Sequence, residues 1–129
     1  MSNNFSSAFI LLTFFAFNAV AKDNLSIESL ECLGAEPFWG LSVKGETIFY
    51  SDIDDQTTSF TLGKVIASVN HNNRWVIQGS GLNGEAVSIT LAKTHQCSDD
   101  MSDFVYEYDV MFSVGDKYLY SGCCNRINK

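Results

Sequence analysis

Residues 97–124 hold the most regular alternation of apolar and polar side chains in the chain, with cysteines at both ends. Apolar residues recur there at every second position, which is typical of a β-strand with one buried face. A Gly-Asp pair at 115–116 predicts a turn, and residues 117–121 predict a second short strand before the closing cysteine pair. We therefore expect a β-hairpin between cysteines. Its predicted core-facing side chains are Phe104, Tyr106, Tyr108, Val110, Phe112 and Val114.

The preceding segments show the same alternation in shorter pieces, separated by turn residues about every eight to twelve positions. Residues 38–53 predict a hairpin around Gly45-Glu46. In residues 57–70 the apolar parity changes at Gly63, which predicts a β-bulge. Residues 22–31 show only a weak pattern, so we expect an extended arm there. The sequence predicts an all-β domain, a small antiparallel barrel or sandwich of about seven or eight strands held by disulfides.

The first 21 residues carry no charged side chain and contain an apolar run at 8–17, followed by Ala19-Val20-Ala21. This pattern predicts a secretory signal peptide at 1–21 and a single β domain at 22–129. An uncleaved anchor is the alternative. The run is shorter than the roughly 20 residues of a membrane span, and no cysteine follows it directly, so we expect no stable membrane anchor after cleavage. The expected location is periplasmic or secreted.

The four cysteines are Cys32, Cys97, Cys123 and Cys124. An even number in an exported chain favours two disulfides over a metal site, and the zinc spacings C-x2-C and H-x3-H do not occur. Because Cys123 and Cys124 are adjacent in a strand, they point to opposite sides and should reach different partners. The sequence predicts no cofactor and no metal.

The net charge of −7 argues against a nucleic-acid partner, which requires a basic patch. Two interpretations of the acidity stay open. It keeps a small exported monomer soluble, or it attracts a basic protein at the cell envelope.

Candidate chemistry is sparse. The acidic turn at 99–103 lacks the spacing of a calcium loop, and a capping or Asx-turn role for Asp99 and Ser102 is favoured. Both histidines, at 71 and 95, fall in predicted loops, away from any nucleophile pattern. Glu107 and Asp109 point the same way from one strand, so a carboxylate pair acting on glycans is an alternative to a solvated sheet face.

The segment at 34–39 has the pattern G-x-E-P-F-W, with the only proline of the chain before two aromatic residues. Adjacent residues of a strand face opposite ways, so one of Phe38 and Trp39 should be exposed. We take Glu36, Phe38 and Trp39 as candidate partner-binding residues. The other aromatic residues fill the core or, as in lipocalins, line a cavity for a small apolar ligand.

Three motifs together resemble an uncharacterised family of small bacterial envelope proteins and lipoproteins: G-x-E-P-F-W at 34–39, C-x-D-x-M-S at 97–102, and Gly-Cys at 122–123. The resemblance implies a small periplasmic β domain with a Cys97–Cys123 bond, and it implies no activity. Cys32 and Cys124 depart from the family pattern and are interpreted as a second bond.

These observations favour a non-enzymatic exported β domain that binds an unknown partner or ligand at the envelope. One alternative is an inhibitor of a basic cell-wall hydrolase, because periplasmic lysozyme inhibitors are similar in size, acidity and disulfide use. The other is a carboxylate-dependent glycan enzyme.

Overall fold

The computed structural model describes residues 29–127, which form eight antiparallel β-strands in one closed barrel. Each strand pairs with the next in sequence, and β1 pairs with β8. The strands are β1 (Ser29–Gly34), β2 (Trp39–Lys44), β3 (Thr47–Ser51), β4 (Thr57–Ala67), β5 (Arg74–Ser80), β6 (Ala86–Ser98), β7 (Val105–Val114) and β8 (Tyr118–Arg126). The all-β prediction is confirmed as a barrel. Within residues 29–127, no helix is long and apolar enough to cross a membrane. The predicted signal peptide lies outside the described residues.

The first strand corrects the prediction of an extended arm. From Ser29 onward the chain is strand β1, which pairs with β2 along its whole length and with β8 between Leu30 and Leu33. Leu30 and Cys32 point inward and are buried. The local alternation is too short to identify this strand, because its second partner lies some 90 residues further along the chain. Pairing of β1 with β8 is what closes the barrel.

Strand β7 has the predicted facing over most of its length. Tyr108, Val110, Phe112 and Val114 are buried. Phe104 is 56% exposed and precedes the strand, so its predicted core position is wrong. The strand begins at Val105, so its alternation does not include residue 104. Tyr106, which was also predicted to face the core, is only half-buried, and its hydroxyl donates to Asp99.

Strand β8 is longer than the sequence predicted. It continues through the cysteine pair to Arg126, because its second half pairs with β1 as well as with β7.

The bulge predicted at Gly63 is confirmed in strand β4, because the register between β4 and β5 shifts between Leu62 and Lys64. Leu62 and Val65 both pack against the core on either side of it.

The barrel interior holds a cluster of buried apolar side chains centred on Phe112, which is 0% exposed. The Phe112 ring centroid lies 6.0 Å from that of Trp39, 5.3 Å from that of Tyr50 and 6.5 Å from that of Phe60. Each large apolar side chain buried in this way stabilises the fold by about 1.5 to 3 kcal/mol. Trp39, Tyr50 and Phe60 thus pack around Phe112 inside the barrel.

Candidate functional site

A cleft of about 300 Å³ on the outside of the barrel brings the three sequence motifs together. Its lining comes from residues 34–36 at the end of β1, from 97–101 at the end of β6, and from 121–122 in β8. Asp109 of β7 completes the lining. Segments far apart in sequence therefore form one surface, which we call the acidic cleft.

The Cys97–Cys123 disulfide holds one side of the acidic cleft. Cys97 lies near the end of β6, and its sulfur is bonded to Cys123 of β8, with the two Cα atoms 5.7 Å apart. Both residues are buried. The second disulfide, Cys32–Cys124, joins β1 to β8. Both predicted pairings are confirmed, and all four cysteines of the chain are oxidised.

Trp39 fixes the other side of the cleft from within the core. Its indole Nε1 donates a hydrogen bond to the backbone oxygen of Ser121, at 3.2 Å. Gly34 is the direct register partner of Trp39, and a Cβ atom at Gly34 would overlap the indole. A Cβ atom at Gly122 would overlap the backbone oxygen of Leu33. The glycines at 34 and 122 therefore allow β1, the indole and β8 to pack closely.

Asp99 organises the turn that follows β6. Its carboxylate accepts hydrogen bonds from the backbone N–H groups of Met101, at 2.9 Å, and Ser102, at 2.8 Å. The Tyr106 hydroxyl donates to the same carboxylate at 3.2 Å. The two backbone hydrogen bonds hold the pKa of Asp99 below its ordinary value, since they favour the charged form, and the one from Met101 has the larger effect. The predicted Asx-turn role of Asp99 and Ser102 is thus confirmed.

Tyr106 shows the opposite shift. Burial, followed by the hydrogen bond to Asp99, raises the pKa of the Tyr106 phenol. The hydroxyl stays protonated at neutral pH and remains a donor to the carboxylate. This contact ties the turn after β6 to the first residues of β7.

Four carboxylates line the acidic cleft, and no lysine or arginine is among its lining residues. Asp109 accepts a hydrogen bond from the Thr94 hydroxyl at 2.6 Å, which orients it on the outer face of β7. Like charges gathered in a concave surface reinforce one another and create a negative local potential. Such a surface favours cationic groups. The carboxylates belong to Glu36, Asp99, Asp100 and Asp109.

The predicted partner-binding residues separate into two environments. Phe38 is 55% exposed, whereas Trp39 is 5% exposed and packs in the core. Glu36 is exposed and lines the cleft. The alternation predicted for Phe38 and Trp39 is therefore present, with Phe38 outside. Trp39 shapes the cleft from below, and Glu36 and Phe38 are the members of the set that solvent reaches.

The carboxylates considered for glycan chemistry have structural partners. Glu107 forms an ion pair with Arg126, at 3.4 Å between Oε2 and Nη2. Asp109 accepts the hydrogen bond from the Thr94 hydroxyl. His71 and His95 are exposed. Among the described residues, no group of three or more His, Cys, Asp or Glu side chains is arranged to hold a metal ion.

Sequence reasoning did not place Ser121 in the site, and it considered Asp109 only as a partner of Glu107. Nothing in the local pattern of Ser121 distinguishes it from other outward-facing strand residues. The available signal was the set of motifs at 34–39, 97–102 and 122–123, which the fold brings to the same surface. Comparisons of the chain with protein-family models, with curated proteins and with solved structures found no match.

Proposed function

We propose that this protein is a non-enzymatic exported domain that binds a basic protein partner at the cell envelope through the acidic cleft. The observation that carries the proposal is the convergence of three distinctive sequence segments on one concave surface lined by four carboxylates. Phe38 lies exposed on the same turn as Glu36 and supplies an apolar anchor beside the charges. Exposed aromatic side chains often contribute more affinity than the charged rim around them.

The two disulfides support an oxidising compartment, because such bonds persist mainly in extracytoplasmic proteins. Periplasmic or secreted localisation is part of the proposal. In that setting a cationic partner would meet an overall charge of −7, which speeds encounter at low ionic strength. A basic cell-wall hydrolase is one such partner, and the domain would then act as its inhibitor.

The test is a titration of a basic hydrolase, lysozyme, with the purified oxidised domain. We expect binding with an association rate that falls as salt rises from about 0.05 M to about 0.5 M. Phe38→Ala should weaken binding by at least about 1 kcal/mol, and Glu36→Gln should mainly slow association. Val69→Ala is the matched control, because Val69 is 94% exposed in the loop between β4 and β5.

Undiminished hydrolase activity at a large excess of the domain would eliminate the inhibitor version. The broader proposal is tested by a pull-down from envelope extract at low and high salt. Capture of basic proteins that is lost at high salt and in Phe38→Ala supports it. Capture that is indifferent to both changes contradicts it.

A further inference from the structure

A second concavity, of about 570 Å³, lies on the outer wall formed by β1, β2 and β3. It is a groove along β2, because two of the three outward-facing positions of that strand carry small residues, Gly40 and Ser42, and the third carries Lys44 at its end. The neighbouring strands carry larger side chains, Leu33 on β1 and Phe49 on β3. We call this surface the β2 groove.

The strand register explains the shape of the β2 groove. Leu33 is paired with Gly40, and Phe49 is paired with Ser42, so the two large side chains stand on opposite sides of β2. Strands β1 and β3 are separated by two strand spacings, about 10 Å. A Cβ atom at Gly40 would lie 2.9 Å from the Ser51 hydroxyl, so the absent side chain at residue 40 keeps the floor low.

The groove lining combines apolar surface with neutral hydrogen-bonding groups. Phe49 and Leu33 are half-buried, and their exposed parts form the apolar walls. Tyr106 also lines the groove, and its hydroxyl donates a hydrogen bond to Asp99. The neutral polar residues in the lining are Ser42, Tyr50, Ser51, Thr57, Tyr106 and Asn125.

The charge of the β2 groove differs from that of the chain. Its lining contains one acidic side chain, Glu31, and one basic side chain, Lys44, so the formal charges cancel. A protein with a net charge of −7 thus has a neutral concave surface beside its acidic one. The groove has no net charge with which to select a cation or an anion.

We infer that the β2 groove binds a short uncharged oligosaccharide. A pyranose ring has apolar C–H faces and a rim of hydroxyls, so it matches a groove with an aromatic wall and hydroxyl and amide side chains around it. Phe49 offers its ring to a sugar face, and the Ser42 and Ser51 hydroxyls can both donate to and accept from sugar hydroxyls. The volume lies within the range of small-ligand sites, about 300 to 1,000 Å³.

A peptide in extended conformation fits this surface less well. Peptides often bind a sheet by adding a strand to a free edge strand, and the closed barrel of residues 29–127 has no such strand because β1 is paired with both β2 and β8. The inferred site shares no lining residue with the acidic cleft. It extends the proposed function without depending on it.

The experiment is an amide NMR titration of the whole oxidised domain with chitotriose (acetylated), cellotriose and maltotriose. Each sugar is added to about 10 mM, where a site with a dissociation constant of about 1 mM is nearly filled. We expect at least one sugar to shift the amide signals of Leu33, Gly40, Ser42 and Phe49. Signals of the acidic cleft, such as that of Asp100, should stay in place.

Two variants make the test specific. Phe49→Ala should weaken sugar binding by about tenfold or more, because it removes the aromatic wall. Ser42→Leu should block the floor, and it serves the same purpose if Phe49→Ala does not fold. Met111→Ala is the matched control, since Met111 is 50% exposed on the outer face of β7, and its affinity should equal that of the parent.

Three results would overturn the inference. The first is the absence of any shift with all three sugars. The second is a shift confined to other surfaces or unchanged in both groove variants. The third is a concentration-dependent dimer, abolished by Phe49→Ala, which would show that a second copy of the chain occupies the groove.

Discussion

The two disulfides involve adjacent residues of β8, Cys124 and Cys123, and they lie on opposite sides of the barrel wall. Cys32–Cys124 is inside, where both residues belong to the core cluster, and it joins directly paired residues of the first and last strands. Cys97–Cys123 is outside, between the end of β6 and β8, where Cys97 lines the acidic cleft. The inner bond closes the barrel. The outer bond builds its candidate binding surface.

This difference follows from the period of a β-strand. Adjacent strand residues face opposite sides, so Cys124 forms its bond inside the barrel and Cys123 forms its bond on the outer surface. All four residues are equally well buried, the outer pair with 4% and 1% exposure and the inner pair with 5% and 0%. Burial alone therefore does not reveal which bond supports the fold and which supports the surface.

Removing the inner bond should have the largest effect on stability. It closes a loop of 92 residues, worth about 4.6 kcal/mol in the chain-entropy model, against about 3.5 kcal/mol for the 26-residue separation of the outer bond. The double variant Cys32→Ala with Cys124→Ala should therefore lose more unfolding free energy in urea than Cys97→Ala with Cys123→Ala. Each double variant serves as the control for the other.

The same pair of variants should separate fold from surface. Loss of the outer bond should shift the amide signals of residues 98–102, which follow Cys97, and weaken any partner that binds the cleft. Loss of the inner bond, in a variant that still folds, should leave those signals near their parent positions. Equal destabilisation with equal signal changes would mean that the two bonds do not have distinct roles.

The strands and the side chains that face the core were largely predictable from sequence, and the acidic cleft was not. Alternation at 105–114, the turn chemistry and the bulge at Gly63 depend on neighbours in sequence, which a local pattern records. Strand β1 was missed because its role depends on pairing with Cys123 and Cys124, far along the chain. The acidic cleft was missed as a unit because residues 34–36 reach the end of β6 only through the pairing of β1 with β8, which no local pattern records.

Gly34→Ala should have an intermediate effect on stability, because it disturbs the close packing of β1 against the Trp39 indole and β8. The added methyl group overlaps the Trp39 indole and the backbone oxygen of Ser121, so we expect a loss of about 1 to 3 kcal/mol in unfolding free energy. Ser121→Ala is the control. It keeps the backbone oxygen that accepts the indole hydrogen bond and should stay within about 0.5 kcal/mol of the parent.

A parent-like denaturation curve for Gly34→Ala would show that the indole can move without cost. The close packing of Gly34, Trp39 and β8 would then not be what holds the cleft wall in place. A loss in Gly34→Ala alone, with Ser121→Ala unchanged, assigns that role to the backbone contact.

The smallest effect is expected for Asp99→Asn, and it concerns pH dependence. The pKa of Asp99 is lowered in the folded state, so its charged form adds stability above the ordinary value of 3.8 and loses that contribution as pH falls through the folded-state pKa. Asparagine can still accept the backbone hydrogen bonds but does not titrate. The melting temperature of Asp99→Asn should therefore fall less than that of the parent between about pH 5 and pH 2.

Asp100→Asn is the matched control, since it removes the neighbouring exposed carboxylate from the same turn. The melting temperature of Asp100→Asn should fall with decreasing pH as steeply as that of the parent. If both variants flatten the curve equally, the dependence comes from the general charge of the turn and not from the hydrogen bonds that Asp99 accepts.

The pairing of β1 with β8 also sets how the domain can be tethered. The N–H of Ile127 donates to the backbone oxygen of Ser29 at 2.9 Å, so the two ends of the described chain lie side by side. Strand β1 runs from that point toward the turn that carries Phe38. A support or fusion partner attached directly at Ser29 or at Ile127 would therefore start from the same place on the barrel, at the opposite end of β1 from Phe38.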